Sequence, residues 1–227
     1  MAAQRNNRWL ALLLAVAVFF FIFTASIGLP IYIRPFYYAH IEALDLPGVS
    51  GFTADQIKDA YDEVLDYLTL PGREFGTGVM ACSESAADHF RDCKALFDLN
   101  AAVLLISTAV ILALLLLRLF GFVGTLTIGS RSGVFWGALS AVGFPLVIGA
   151  LASLDFNRAF VIFHSIFFPG KDNWLFDWNK DQIIRVLPQQ FFMNCAILIG
   201  TGILVLSLGI LAVTRKKVKE NKHGHQA

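Results

Sequence analysis

The stretch LNAAVLLISTAVILALLLL, residues 99–117, decides the fold class of this chain. It contains 19 residues without a single charge, and a helix needs about 20 apolar residues to cross a bilayer. Three other runs are equally free of charge: residues 9–33, 132–154 and 186–214. The sequence therefore predicts an all-α integral membrane protein that forms a single membrane domain over residues 1–227.

Four transmembrane helices are predicted, at 9–30, 99–121, 133–154 and 190–213. The connecting segments 31–98 and 155–189 are predicted to form a small, mainly helical extracytoplasmic region. Hydrophobic residues make up 56% of the chain and charged residues only 15%, against roughly 25% charged in soluble domains. This composition excludes a soluble enzyme and an unfolded acidic chain, and a net charge of +1 argues against nucleic-acid binding.

Charge is distributed unevenly between the segments that flank the four runs. The N-terminus, the middle connection and the tail hold nine cations and one acid, whereas the other two connections hold nine cations and 16 acids. The nine cations are Arg5, Arg8, Arg118, Arg131, Arg215, Lys216, Lys217, Lys219 and Lys222, and the acid is Glu220. The positive-inside rule then predicts that both termini are cytoplasmic.

A cleaved signal peptide is the alternative interpretation of residues 1–29, because Arg5 and Arg8 precede the first apolar run. That run is longer than an ordinary signal-peptide core, and no small-x-small cleavage site precedes Gly28. We expect an uncleaved first helix.

The first outside loop is predicted to contain two helices. Thr53 and Gln56 form a capping-box pattern, apolar residues follow at helical spacing, and Pro71 ends the pattern. Ser83 or Ser85 can cap a second helix. The loop opens with aromatic residues expected to act as membrane-interface anchors: Tyr32, Phe36, Tyr37 and Tyr38.

The second outside loop contains a short apolar segment between Arg158 and Lys171. Its twelve uncharged residues, 159–170, would form a helix of about 18 Å, shorter than the roughly 30 Å hydrocarbon core. The segment should therefore lie at or dip into the outer membrane interface. It carries one ionisable residue, His164.

Histidines are the strongest candidates for chemistry. His89 and His164 each lie in an apolar stripe on the predicted outer face, whereas His40 has no evident partner, and His223 and His225 belong to the polar tail. A histidine in such a stripe is often a hydrogen-bonded core residue, but polar groups near a membrane are costly and frequently functional. Two such rings can act as base and acid in acyl transfer on a lipid ester.

Other chemistries lack their motifs. No histidine or cysteine spacing typical of a metal site occurs, and the calcium-like series Asp177, Asn179, Asp181 has Gln182 where the loop needs glycine. A nucleophile elbow, a phosphate loop and a dinucleotide fingerprint are also missing. We therefore expect no metal, nucleotide or other cofactor.

Cys82 and Cys93 share the first outside loop, in a compartment that permits disulfides. Their spacing of eleven residues does not settle whether they pair, since the Cα atoms must come within about 7 Å.

Two blocks of the outside loops resemble a known family. The first is Ser85-x-x-x-His89-Phe90-x-Asp92-x-Lys94-x-Leu96-Phe97, and the second runs from Phe163-His164 through Asp172-x-Trp174-x-Phe176-Asp177 to Leu187-Pro188-x-x-Phe191-Phe192. Together with the plan of four helices, these blocks are similar to the bacterial lipoprotein intramolecular transacylase (Lit) family.

The resemblance implies an O-to-N acyltransferase of the bacterial plasma membrane with an extracytoplasmic active site. Its substrates would be diacylglyceryl-modified lipoproteins among membrane lipids, whose sn-2 acyl chain moves to the α-amino group of the lipidated cysteine to give the lyso form. His89 and His164 match the family's catalytic histidines, without indicating which is base and which is acid.

The resemblance also suggests supporting residues. Asp92 is a candidate to orient His89, although a solvated carboxylate paired with a nearby cation is the alternative. Four residues are expected at the lipid entrance, of which the tryptophan could equally be an interface anchor: Asp172, Trp174, Asp181 and Arg185. Cys93 departs from the family pattern, and this departure favours a local disulfide with Cys82.

Two other classes of membrane protein compete with this interpretation. A four-helix adhesion or scaffold protein of the claudin type has a similar length and a large first loop with paired cysteines, but it does not explain His164 in an apolar segment. A small transporter would have broken or charged helices, which the four uninterrupted runs lack.

Overall fold

A computed structural model describes residues 6–223, apart from the side chains of 144, 147, 148, 150–153 and 216–223. The expectations for His223, His225 and the lysines of the tail lie outside the described side chains. The elements in chain order are α1 Arg8–Tyr32, α2 Arg34–Ala43, α3 Leu46–Ser50, α4 Ala54–Thr69, α5 Glu84–Leu119, β1 Thr127–Ile128, β2 Arg131–Ser132, α6 Gly133–Leu154, α7 Phe156–Phe167, a 3₁₀ turn Gln182–Arg185 and α8 Gln189–His223. The predicted helical class is confirmed, with one short antiparallel hairpin in addition.

Three of these helices are long and apolar enough to cross a membrane. They are α1, α5 and the Gln189–Arg215 part of α8. The predicted third span coincides with α6, which is helical over 22 residues and carries Pro145 inside it.

Helix α5 joins two predicted segments, the second loop helix and the second span, into one helix of 36 residues. No glycine or proline interrupts it, so nothing in the backbone forces a break. Its first 15 residues, 84–98, carry six charged side chains. The stretch able to span the bilayer therefore begins at Leu99, and His89 lies outside it.

The chain divides into two compact units, to both of which α1, α5, α6 and α8 contribute. The first consists of the described parts of 1–27, 101–150 and 199–227. Within it α1 and α6 approach closely: a Cβ at Gly137 would lie 2.5 Å from the Ala15 carbonyl oxygen and 2.7 Å from Cβ of Val18. Glycine is therefore required at this helix crossing, as is common between membrane helices.

The second unit consists of 28–100 and 151–198. Its core contains α4, whose predicted capping box between Thr53 and Gln56 is present in full. The apolar positions predicted from helical spacing are all buried: Ile57, Tyr61, Val64, Leu65 and Leu68. The helix ends at Thr69, before Pro71, as expected.

Tyr37 corrects the prediction of an interface anchor. Its side chain is fully buried, stacks on Tyr61 with ring centroids 3.7 Å apart, and donates a hydrogen bond to the Val186 carbonyl at 2.7 Å. The prediction failed because α2 turns this ring into the core of the second unit, while Tyr32 stays 55% exposed.

Candidate active site

His89 lies in the first turns of α5, within the second unit. Helix α5 begins at Glu84 because the Ser83 hydroxyl caps it, accepting a hydrogen bond from the Ala86 amide at 3.2 Å. The imidazole is 7% exposed and packs against Phe168 and Phe176, with ring centroids 4.9 and 5.5 Å away. The apolar surroundings predicted for this histidine are therefore aromatic side chains in direct contact with its ring.

His164 lies near the end of α7, which begins with an Asp155 cap that accepts from the Arg158 amide at 3.0 Å. The imidazole is 6% exposed, and its Nδ1 is 2.8 Å from the Phe160 carbonyl oxygen. A carbonyl oxygen can only accept, so Nδ1 carries the proton and Nε2 is the free nitrogen of the neutral ring.

Helix α7 buries a polar side chain and exposes apolar ones, which is the opposite of a helix in a soluble protein. It buries its histidine and leaves five apolar side chains about half exposed or more: Val161, Ile162, Phe163, Ile166 and Phe167. An apolar face of this kind is typical of a helix at a membrane interface.

The two histidines meet in the second unit. Their ring centroids are 5.7 Å apart with planes inclined by 31°. The indole of Trp174 stacks on His164 at 4.5 Å. The structure thus brings together three residues singled out in the sequence, from α5, α7 and the loop that follows α7.

Asp92 lies one helical turn after His89 and bonds to the loop after α7 rather than to the imidazole. Its Oδ1 accepts from Lys171 Nζ at 2.5 Å, and its Oδ2 accepts from Asn173 Nδ2 at 3.0 Å. Burial tends to raise the pKa of Asp92, but these two donors hold it below its usual range. Asp92 is therefore an anionic anchor for the loop.

Both site histidines are neutral near pH 7. Burial, reinforced by the neighbouring His164, lowers the pKa of His89 to about 4, although Asp92 and Asn173 oppose the shift. Burial also lowers the pKa of His164, against its hydrogen bond to Phe160. Each ring is thus prepared to accept a proton rather than to donate one.

Asp181 connects the loop after α7 to the start of α5. It is 4% exposed and accepts from the Ser83 amide at 2.8 Å and the Asp177 amide at 2.9 Å. Burial alone would raise its pKa, but these hydrogen bonds hold the pKa of Asp181 below its usual range.

The other predicted residues have separate surroundings. Arg185 donates from Nε to the Trp178 carbonyl at 3.0 Å and lies over that indole, and Asp172 lines an open polar groove with Asp92. His40, which has no evident partner in the sequence, bonds through Nε2 to Asn194 Nδ2 at 2.9 Å. This contact joins α2 to α8.

The predicted disulfide is not formed in the structure: Cys82 and Cys93 are both free. Cys93 lies one turn after His89 on the same side of α5, and its Sγ is 3.4 Å from His89 Nε2. The Cys82 thiol instead lies 3.7 Å from the Ser83 carbonyl oxygen. The two thiols are thus engaged with different partners.

Sequence reasoning missed two polar residues of the site, Lys171 and Asn173. Both belong to an irregular loop, where no periodicity indicates the direction of a side chain. The sequence offered one signal: Lys171 precedes Asp172, and Asn173 lies between Asp172 and Trp174, in the second block that resembles the family. This signal identifies the segment but does not single out these two positions.

Comparison with known proteins gives consistent results. A family model described as lipoprotein intramolecular transacylase Lit matches residues 12–192. The solved structure of the membrane-integral lipoprotein intramolecular transacylase Lit from Bacillus cereus is 26% identical, with a TM-score of 0.85 over 95% of this chain and 97% of that chain. The search of curated proteins found no match.

Two further structures of the Bacillus cereus protein carry a substitution of one histidine. The arginine variant is 25% identical with a TM-score of 0.79, over 96% of this chain and 94% of that one. The alanine variant has the same identity and TM-score over 95% of each chain. With the three helices long enough to span a bilayer, these likenesses confirm the predicted membrane class.

Proposed function

The chain belongs to the lipoprotein intramolecular transacylase Lit family, and we propose that His89 and His164 carry out its acyl transfer. As a member of this family, the protein is a membrane-integral acyltransferase that acts on lipoproteins. The observation that carries the proposal is the meeting of these two buried imidazoles at 5.7 Å between ring centroids.

The reaction moves one acyl chain within a single substrate molecule. The α-amino nitrogen of the diacylglyceryl cysteine attacks the carbonyl carbon of the sn-2 ester, and the carbonyl carbon then releases the glycerol oxygen. The nitrogen loses one proton and the oxygen gains one, so the products have the mass of the substrate. No external acyl donor or nucleotide takes part.

One proton passes through the site in each turnover. Because both imidazoles are neutral, the first task is to remove a proton from the attacking amine. The imidazolium formed in this way has a low pKa and is a strong acid toward the departing alkoxide. General acid–base catalysis of this kind contributes roughly 10²- to 10⁴-fold, and alignment of amine and ester supplies the rest.

Orientation in the membrane follows from the charge asymmetry. We propose that α1, α5, α6 and α8 each cross the bilayer, with both termini cytoplasmic and residues 31–98 and 155–189 outside. The apolar face of α7 supports a position at the outer interface, where the esters of a lipoprotein lie. Topology reporters fused after residues 50 and 175 should read outside, and one at residue 125 should read inside.

The decisive assay incubates the purified protein with a synthetic diacylglyceryl lipopeptide. The product should have unchanged mass, and fragmentation should show an N-acylated cysteine. A gain in mass would instead indicate a donor-dependent acyltransferase and a loss would indicate a lipase. An unaltered lipopeptide under all conditions would favour the adhesion or scaffold alternative.

A further inference from the structure

The Asn173 side chain contacts Asp92 and lies near His89 in the second unit. Its Nδ2 donates to Asp92 Oδ2 at 3.0 Å, which fixes which end of the amide faces the carboxylate. The opposite end, Oδ1, is buried without a partner among the described residues, and so is Nδ1 of His89. Buried polar atoms are rarely left unpaired in folded proteins.

These two atoms have complementary chemistry. The amide oxygen can only accept a hydrogen bond, and an imidazole nitrogen can donate one. The Asn173 side chain also lies close enough to His89 to favour its protonated form, against the effects of burial and of His164.

We propose that Asn173 is a positioning residue for acyl transfer: its Oδ1 accepts the Nδ1 proton of His89, so that Nε2 exchanges protons with the substrate. Asp92 holds the amide in this orientation, and Lys171 holds Asp92. The inference deepens the proposed function, because it rests on His89 being catalytic.

The contacts of the two Nε2 atoms agree with this assignment. Cys93 Sγ lies 3.4 Å from His89 Nε2, and a thiol is a weak donor that an amine N–H can displace. His164 is fixed in the same tautomer by the Phe160 carbonyl. Both rings then offer the same nitrogen to the substrate.

Loss of Asn173 has a defined consequence. Without an acceptor at Nδ1, the neutral ring of His89 populates both tautomers, and only one of them is productive. The imidazolium that forms during the reaction also loses a hydrogen-bond acceptor, and hydrogen bonds to charged groups are among the stronger ones. We expect Asn173→Ala to lower kcat roughly 10- to 100-fold, less than loss of the base itself, and to leave KM within about twofold. The matched control is Asn179→Ala, because Asn179 is exposed in the same loop.

A reciprocal exchange separates positioning from mere packing. In the double variant Asp92→Asn/Asn173→Asp, an amide donor still meets a carboxylate, and a carboxylate oxygen still faces Nδ1. This variant should recover at least about tenfold of the rate lost in Asn173→Ala. The acid limb of the pH–rate profile should move to lower pH in Asn173→Ala, because this variant loses a group that favours the protonated form of His89. It should move to higher pH in the double variant, which places a carboxylate against the ring. The other titratable groups that face His89 come from α5 (Asp92, Cys93), α7 (His164) and the loop (Lys171).

The direct readout is the tautomer of His89, measured by ¹⁵N NMR of the ring nitrogens in detergent and assigned with His89→Gln. The wild type should show the proton on Nδ1, and Asn173→Ala should show a mixture. A proton on Nε2 in the wild type would overturn the proposal, even if the variant does not fold. So would an unchanged tautomer and kcat in Asn173→Ala, or no recovery in the double variant.

Because the tautomer is measured without turnover, failure of this proposal is distinct from failure of the proposed function. Full transacylase activity in His89→Ala would end the catalytic role of His89 whatever its tautomer.

Discussion

The indole of Trp174 stacks on the imidazole of His164, with ring centroids 4.5 Å apart and planes inclined by 27°. The indole Nε1 donates to the Lys171 carbonyl at 3.1 Å, which fixes the ring against rotation. The face of an indole attracts positive charge. We therefore expect Trp174 to orient His164 and to stabilise the imidazolium form of His164.

Replacing Trp174 by alanine should slow transfer by about tenfold or less, because an aromatic stack is worth about 0.5–1.5 kcal/mol. Trp174→Phe should retain most of the activity, since it keeps a ring over His164. Trp178→Ala is the matched control, as that indole is exposed and packs on Arg185. The measurement is the initial rate of lipopeptide transacylation. Equal rates in Trp174→Ala and the wild type would refute a role of Trp174 in catalysis.

Removal of either imidazole that we propose as catalytic should have a much larger effect. His89→Ala and His164→Ala should each lose roughly 10²- to 10⁴-fold in kcat and still fold. His40→Ala should keep its activity but lose about 1 kcal/mol of stability, because it removes the hydrogen bond to Asn194. Lipopeptide turnover and thermal unfolding in detergent measure the two effects separately.

The pH dependence of the rate follows from the neutral imidazoles. Since the pKa of His89 is about 4, its base form is fully present above about pH 5. The rate should then rise through the substrate amine, whose pKa is about 8, with no separate step near pH 6.5. A rise centred on pH 6.5 that is lost in His89→Gln would show that His89 keeps its ordinary pKa.

Stability should depend on pH with a predictable sign. The folded state holds the pKa of His89 at about 4, while the unfolded chain has a value near 6.5. Between these values the unfolded state binds more protons, so stability is present above pH 6.5 and is lost as the pH falls toward 4. Thermal midpoints between pH 4 and 7 should therefore vary less in His89→Gln than in the wild type.

Asp181 should be a stability residue. Asp181→Asn replaces a buried carboxylate that accepts from Ser83 and Asp177, at a cost of about 1–3 kcal/mol. The thermal midpoint should fall by about 2–4 °C for each kcal/mol, and catalysis at low temperature should persist. Asp59→Asn is the control, because Asp59 lies on the exposed face of α4. An equal thermal midpoint in both variants would contradict a stabilising role for the hydrogen bonds of Asp181.

The cysteines should be free thiols. Because Cys93 contacts His89 and Cys82 lies by Ser83, labelling of the denatured protein should be the same with and without reductant. Additional label after reduction, in protein from an exporting cell, would mean that the two residues are bridged there.

Local signals predicted the local structure well. The capping box at Thr53 and the start of α5 beside Ser83 depend on neighbouring residues, so a single sequence suffices to identify them. The apolar runs likewise marked α1, α6 and α8. Tyr37 was predicted wrongly because its destination depends on a partner 149 residues away, the Val186 carbonyl.

The site was predictable only in its outline. His89 and His164 stood out because a polar ring in an apolar stripe is costly, and this cost is visible in sequence. Contacts between segments 79 to 98 residues apart determine the surroundings of Lys171, Asn173 and Asp181. Loop side chains carry no periodicity, so nothing local distinguishes a residue in such a contact from a solvated one.

The exposed apolar face of α7 determines how the substrate concentration should be expressed. If lipid surrounds the helix that carries His164, the enzyme meets its lipoprotein substrate within the membrane surface rather than in bulk solution. The quantity that saturates the enzyme is then the mole fraction of lipopeptide in the micelle or vesicle, not its molarity in the tube. Adding bare detergent at constant substrate would slow the reaction by surface dilution, without any inhibitor being present.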